Sequence, residues 1–246
     1  MASKSVTGRS LAGTSVGRHR GQRSFRAWQD RIRDPSLTAL LFLQICAMFF
    51  VAPLAIRGLP IARPIVDTLV LAALLVVVLL SQRRGAIGVI LIGVAATLAG
   101  QLLEPEWPPV VASWLRHGGS IVAFSALTWV VSHAVYAPGR ITFHRLQGAA
   151  IVYLNLATIF ASAFNLIWDR DPGSFANIPP STAGYGELAT MVYFSLTTLT
   201  TTGYGDIVPI DPFARGLANL ESVVGQFYLA VTVARLVTLE MADQRR

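Results

Sequence analysis

Six runs of apolar residues, at roughly 36–56, 64–81, 85–103, 118–137, 146–168 and 214–239, punctuate the 246-residue chain, with Pro, Gly, Arg or Glu clusters between them. Their lengths approach the roughly 20 residues that a helix needs to cross the hydrocarbon of a bilayer. Inside lipid every backbone polar group must be satisfied within the structure, so such a run becomes a helix. The sequence therefore predicts an all-α membrane protein with six transmembrane helices. Composition agrees: 53% of the residues are hydrophobic and only 13% are charged, more apolar than a soluble core requires. Asp34 followed by Pro35 supplies a cap and a first-turn proline to open the first helix.

The formal charge of +7 and the pI near 10.3 invite a nucleic-acid reading. Eight of the 20 basic residues, however, fall within the first 33 positions beside a single acid, which makes a tail and not a binding face. No nucleic-acid partner is expected. Lys and Arg accumulate on the cytoplasmic side of membranes, so this tail, residues 1–34, puts the N-terminus inside, and six crossings return the C-terminus there too. Arg83, Arg84, Arg140 and Arg145 then fall inside, and Glu104 and Glu106 fall outside. Arg57 and Arg63 dissent but are outnumbered by the tail. The expected location is the plasma membrane or a bacterial inner membrane. Within the tail, Phe25, Trp28 and Ile32 oppose Arg23, Arg26, Arg31 and Arg33, as in a helix lying on anionic lipid; a disordered basic tail fits equally. Its Arg- and Ser-rich, acid-poor make-up is also shared by organelle transit peptides. The lone Cys46 excludes a disulfide framework or a cysteine metal site within one chain.

Between the last two runs lies Ser195-Leu-Thr-Thr-Leu-Thr-Thr-Thr-Gly-Tyr-Gly-Asp206. The segment before it, residues 187–200, is too short to cross and is expected to be a re-entrant pore helix, with Glu187 at its positive N-terminal pole and its C-terminus favouring a cation. Thr201-Thr202-Gly203-Tyr204-Gly205 differs by one residue from the Thr-Val-Gly-Tyr-Gly loop whose carbonyls replace the hydration shell of potassium. Consecutive carbonyls aimed at one axis need backbone conformations expected to be closed to residues with a Cβ, so Gly203 and Gly205 are assigned to supply them. Tyr204 is expected to wedge outward, and the Thr201 hydroxyl to add an inner ring of oxygen ligands. Potassium is thus expected at Thr201, Thr202, Gly203 and Tyr204.

Over residues 146–240 the chain resembles potassium-channel pore domains, and its six-run plan resembles a bacterial potassium channel subunit. The resemblance implies an outer helix, pore helix, filter and inner helix in that order, repeated in a homotetramer around one pore. It implies that Asp206 bonds behind the filter to an aromatic residue of the pore helix. Many relatives have tryptophan at that place; here it is Tyr193, with Phe194 in the neighbouring place, and the resemblance implies that both support the filter. Gly225, 20 residues after Gly205, takes the place of the hinge glycine, and packing is its other reading. Thr202 stands where valine is usual. Glu221, costly against lipid, is expected to face protein behind the filter and to join its support.

Residues 35–145 are laid out like a four-span voltage sensor preceding a pore domain at 146–246, yet residues 118–137 contain no Arg or Lys. Each gating charge contributes about 2.3 kcal/mol per 100 mV, so steep voltage gating is not expected. Arg116, Arg140 and Arg145 are read as snorkelling from helix ends. Asp67 is placed near the outer interface, and His117, His133 and His144 are read as helix-end or packing groups. Gly88, Gly93, Ala96 and Gly100 form a small-residue face for close helix packing. Tyr153, Asn155, Thr158, Ser162 and Asn165 mark a face of the fifth span that turns toward protein. Only six residues follow Glu240, so no regulatory domain is expected there. No ATP-binding loop, catalytic triad or metal site is present, so enzymatic function and cofactors are not expected. A poorly selective cation channel and a non-conducting membrane regulatory subunit remain the rival readings.

Overall fold

The computed structural model describes residues 37–57, 84–103, 106–136, 143–179 and 185–244; the basic tail, the apolar run at 64–81, Asp67 and Arg140 lie outside them. The described chain is mostly helical. In order come α1 (Leu37–Ile56), α2 (Arg84–Leu102), α3 (residues 109–135), α4 (Phe143–Arg170), α5 (Tyr185–Leu199) and α6 (Pro212–Gln244). Among the described residues α1, α2, α4 and α6 are long and apolar enough to cross a membrane. α5 is 15 residues long, short of the roughly 20 needed.

Two of these helices widen where the sequence forces them to. Pro53 of α1 has no N–H, and its ring collides with the carbonyl four residues earlier. The helix relaxes into a π turn over Cys46–Val51, just before the proline. α3 begins well before the apolar run that announced it. Pro109 takes a first-turn position behind the extended Pro108 (φ −54°, ψ 133°), and a π turn at Trp114–Gly118 carries the chain into the apolar stretch Gly119–Val135. Ser113, Arg116 and His117 dilute the hydropathy of that first part and conceal it from a run-based reading.

α2 and α3 touch backbone to backbone. A Cβ added to Gly93 would lie 2.7 Å from the Gly119 carbonyl oxygen, and one added to Gly100 would lie 2.5 Å from the Arg116 nitrogen. Gly88, expected on the same packing face, has nothing within 4 Å of an added Cβ among the described residues.

α4 is the hub. Of its most apolar window 56% is buried, against 17% for each of the other three long apolar helices. Asn155, Ser162 and Asn165 are fully enclosed. Gln44 of α1 donates to Asn155 Oδ1 at 2.8 Å, Thr38 of α1 to Gln147 Oε1 at 3.0 Å, and Ser162 to Ser120 Oγ of α3 at 3.0 Å. The polar face of α4 thus has partners on two neighbouring helices, which is what makes it tolerable inside a membrane protein. A turn at Pro172–Ser174 and a two-residue strand β1 (Phe175–Ala176) follow α4; β1 pairs antiparallel with β2 (Val208–Pro209).

Candidate functional site

The loop that leaves α5 is anchored to it by its own nitrogens. Thr201 N donates to Thr198 O at 2.9 Å, and Thr202 N and Gly203 N both donate to Thr197 O, at 2.8 and 3.1 Å. Turning the nitrogens back toward the helix turns the carbonyls the other way. The backbone does this by alternation: φ is positive at Thr201 (57°), Gly203 (53°) and Gly205 (77°), and at neither residue between them. Residues of alternating hand gather N–H groups on one side and so present C=O groups on the other. Residues 201–206 are all exposed.

The expectation that glycine takes every left-handed position needs correction at Thr201. A β-branched residue with positive φ is an outlier, held at a cost of order 1–3 kcal/mol. Its neighbours impose the conformation through the bonds to Thr197 and Thr198.

α5 ends on carbonyls that would be orphans in a free helix, and here each of the last four has a partner. Leu196 O accepts from Thr200 N at 3.1 Å, and Thr197 O from the loop. Thr198 O also accepts from Ser222 Oγ of α6 at 3.2 Å, and Leu199 O from the Tyr153 hydroxyl of α4 at 3.2 Å. Sequence reading missed Ser222 as part of this arrangement. Its position three residues before Gly225 was the available signal, since that spacing puts the two on one helix face.

Tyr193 donates to Asp206 Oδ2 at 2.7 Å, and its ring lies parallel to that of Tyr204 with centroids 6.5 Å apart. The Asp206 carboxylate accepting that bond pushes the Tyr193 hydroxyl up to about 12. The donor therefore stays protonated throughout the range in which proteins work. The second Asp206 oxygen accepts from Ile207 N at 3.0 Å. A cavity of about 360 Å³ separates the back of this tyrosine pair from Met48, Phe49 and Pro53 of α1.

Phe194 does not stand beside the loop. It points into the core, edge-on to Phe164 (4.9 Å) and Phe175 (5.5 Å), because successive helical residues face about 100° apart and Tyr193 already takes the loop-facing side. Glu221 is fully buried between α5 and α4, where Ser195 of α5 donates to its Oε1 and lies 2.8 Å from the Ala157 carbonyl. Gly225 is buried against the end of α5. A Cβ there would run into the Leu199 carbonyl oxygen and lie 2.9 Å from Leu199 Cδ1, so close packing accounts for this glycine.

Beyond the loop, β2 is tied back to the segment after α4. Ile210 N donates to Ser174 O at 2.7 Å and Asp211 N to the same oxygen at 3.1 Å. Arg116 is not a snorkelling residue. With His117 and Ser113 it converges on Asp169 at the end of α4, at 3.3, 3.3 and 2.5 Å, and both Arg116 and Asp169 are largely enclosed. His133 and His144 meet Trp129 O and Gln147 Oε1 near helix ends.

A protein-family model described as an ion channel matches residues 149–241, the stretch that contains α5, the alternating loop and all but the last turn of α6. Two curated proteins are similar to this chain. One is the potassium voltage-gated channel protein shk-1 of Caenorhabditis elegans, 33% identical over 89 residues, 35% of this chain and 15% of that protein. The other is the inward rectifier potassium channel Kirbac3.1 of Paramagnetospirillum magnetotacticum, 32% identical over 87 residues, 34% of this chain and 25% of that protein. The chain thus spans a quarter or less of the length of these relatives. No solved structure matches it.

Proposed function

We propose that this chain is one subunit of a homotetrameric, passive, potassium-selective channel. The observation that carries the reading is the alternating hand of residues 201–205 at the end of a helix too short to cross a membrane. The match of residues 149–241 to an ion-channel family supports it. One such loop cannot enclose an ion, so four copies are needed around an axis. In this reading α5 is re-entrant. The chain has six spans, counting α3 and the run at 64–81. Residues 1–34 form a cytoplasmic tail, 35–145 a four-span unit and 146–246 the pore unit.

The carbonyls of Thr201, Thr202, Gly203 and Tyr204, with the Thr201 hydroxyl, replace water around a dehydrated potassium ion. Passage requires that each site bind weakly enough to release. The C-terminal ends of four α5 helices add partial negative charge on the inner side. Tyr193 and Asp206 hold the outer part of the loop, while Glu221 and Ser195 hold α5 against α4 and α6. Five acids against two arginines between Asp169 and Arg215 bias the outer mouth toward cations. Opening is not steeply voltage-dependent. α3 has no Lys or Arg between Ser120 and Val135, and Arg116 is paired with Asp169.

The test is potassium flux into liposomes carrying the purified protein. Flux that sodium cannot replace is expected. Equal sodium flux points to a poorly selective cation channel, and no flux from assembled tetramers points to a non-conducting regulatory subunit.

A further inference from the structure

Ser222, Gly225 and Gln226 occupy one face of α6, at the i, i+3 and i+4 spacing that stacks side chains. Each meets the junction of α5 and the loop. Ser222 Oγ reaches Thr198 O at 3.2 Å, Gly225 packs on the Leu199 carbonyl, and Gln226 Nε2 donates to Thr201 Oγ1 at 3.3 Å. The lack of a side chain at Gly225 lets the helix come close enough for the next residue to reach the loop. Thr201 is the residue held at φ 57°, so the direction in which its side chain leaves the backbone is set by the loop.

A hydroxyl carries one proton and two acceptor lone pairs. With one lone pair engaged from the α6 side, its rotation is set, and the other lone pair is free to face an ion. A carboxamide is well suited to engage it. The amide donates without carrying a positive charge, which would repel a cation. A carboxylate at this place could not donate. An apolar side chain would leave the hydroxyl free to turn.

We infer that Gln226 is a positioning residue for the innermost cation site, acting through the Thr201 hydroxyl. This rests on the channel reading above. It predicts that removing the amide weakens cation binding at that site and leaves the outer sites alone. Barium is the probe, because it is close to potassium in size and carries twice the charge, so it lodges in oxygen sites built for potassium.

The experiment measures barium block from the inner side and calorimetric barium binding to the purified tetramer, which also reads non-conducting backgrounds. Gln226→Met is expected to lower barium affinity roughly two- to tenfold, the effect of losing one such bond. The loss is expected to persist with Thr201→Ser, which keeps the hydroxyl, and to vanish with Thr201→Ala, which removes it. If Gln226→Met does not assemble, Gln226→Asn, which draws the amide back by one methylene, is expected to change affinity in the same direction. Unchanged barium affinity in a variant that still passes potassium overturns the inference alone, as does an equal loss in both Thr201 backgrounds. A wild-type protein that neither passes potassium nor binds barium overturns the channel reading and this inference with it.

Discussion

Between α2 and α3 the contact is backbone on backbone through Gly93, Gly100 and Gly119; around α5 it is polar, with the Tyr153, Ser195 and Ser222 hydroxyls on carbonyls, Ser195 also on the Glu221 carboxylate, and the Gln226 amide on the Thr201 hydroxyl. Both solutions work where no hydrophobic force draws helices together, because lipid is as apolar as leucine. They differ in what they fix. Small-residue contact fixes distance and leaves a whole face free of chemistry. Hydrogen bonds fix angle and register, although each contributes only about 0.6 kcal/mol on average between membrane helices. The pore half gathers many of them at one place, the junction of α5 with the loop. Among the described residues of the front half a comparable cluster, Asp169 with Ser113, Arg116 and His117, joins a front helix to α4.

The largest effect is expected at the loop. Gly203→Ala meets no atom of the described residues of its own subunit within 4 Å, so within the subunit its cost is the left-handed backbone, about 1–2 kcal/mol per residue and fourfold in a tetramer. Potassium selectivity or conduction is expected to be lost while the tetramer survives on a native gel. Intact selectivity over sodium would remove Gly203 from the account. Gly225→Ala comes next. It drives a Cβ into the Leu199 carbonyl, and overpacking of this kind costs about 1–3 kcal/mol. Lower thermal stability is expected together with reduced conductance, because α6 must move away from α5.

In the front half, Gly119→Ala is expected to destabilise by a similar roughly 1–3 kcal/mol, since its Cβ would lie 2.5 Å from the Gly93 carbonyl oxygen. Reversal potentials in mixed potassium and sodium are expected to stay at the wild-type value. A selectivity change there would dissolve the distinction between the two halves.

A smaller effect is expected from Tyr193→Phe, which removes one hydrogen bond worth about 1 kcal/mol. Faster loss of current in low potassium is expected, and no further change once Asp206 is already Asn. Additive effects would count against direct coupling. Because the Tyr193 pKa lies near 12, above its ordinary value of 10, the contribution of the bond is present below pH 10 and fades only as pH rises through 12. The Tyr193→Phe difference is therefore expected to be constant from about pH 6 to 9. The smallest effect is expected from voltage. Open probability across about ±100 mV in symmetric potassium is expected to vary shallowly, and a sigmoid carrying several charges per subunit would require α3 to move Arg116 away from Asp169.

The placement of the spans was legible in the sequence because apolar runs are long and need no partner to be recognised. α1, α2, α4 and α6 fall where the runs do. The start of α3 was not legible, since Ser113, Arg116 and His117 look interfacial until Asp169, more than 50 residues later, is brought beside them. At the loop the glycines announced their own backbone, but Thr201 did not. Its left-handed conformation is imposed by bonds to Thr197 and Thr198, and residue type alone argues against it. Phe194 was misread because its neighbour Tyr193 carried the resemblance, and adjacent helical residues cannot face the same way. Gln226 was invisible for a similar reason, because its partner lies 25 residues back across a turn and only the approach of α6 makes the pair.

The central claim is that residues 201–205 select potassium. The most direct measurement is the reversal potential of the reconstituted wild-type protein in opposed gradients of potassium and sodium. The account predicts that it follows the potassium equilibrium potential as the potassium gradient is varied, and ignores sodium. A reversal potential that stays near zero whenever the summed concentrations of the two ions are equal on both sides would contradict it.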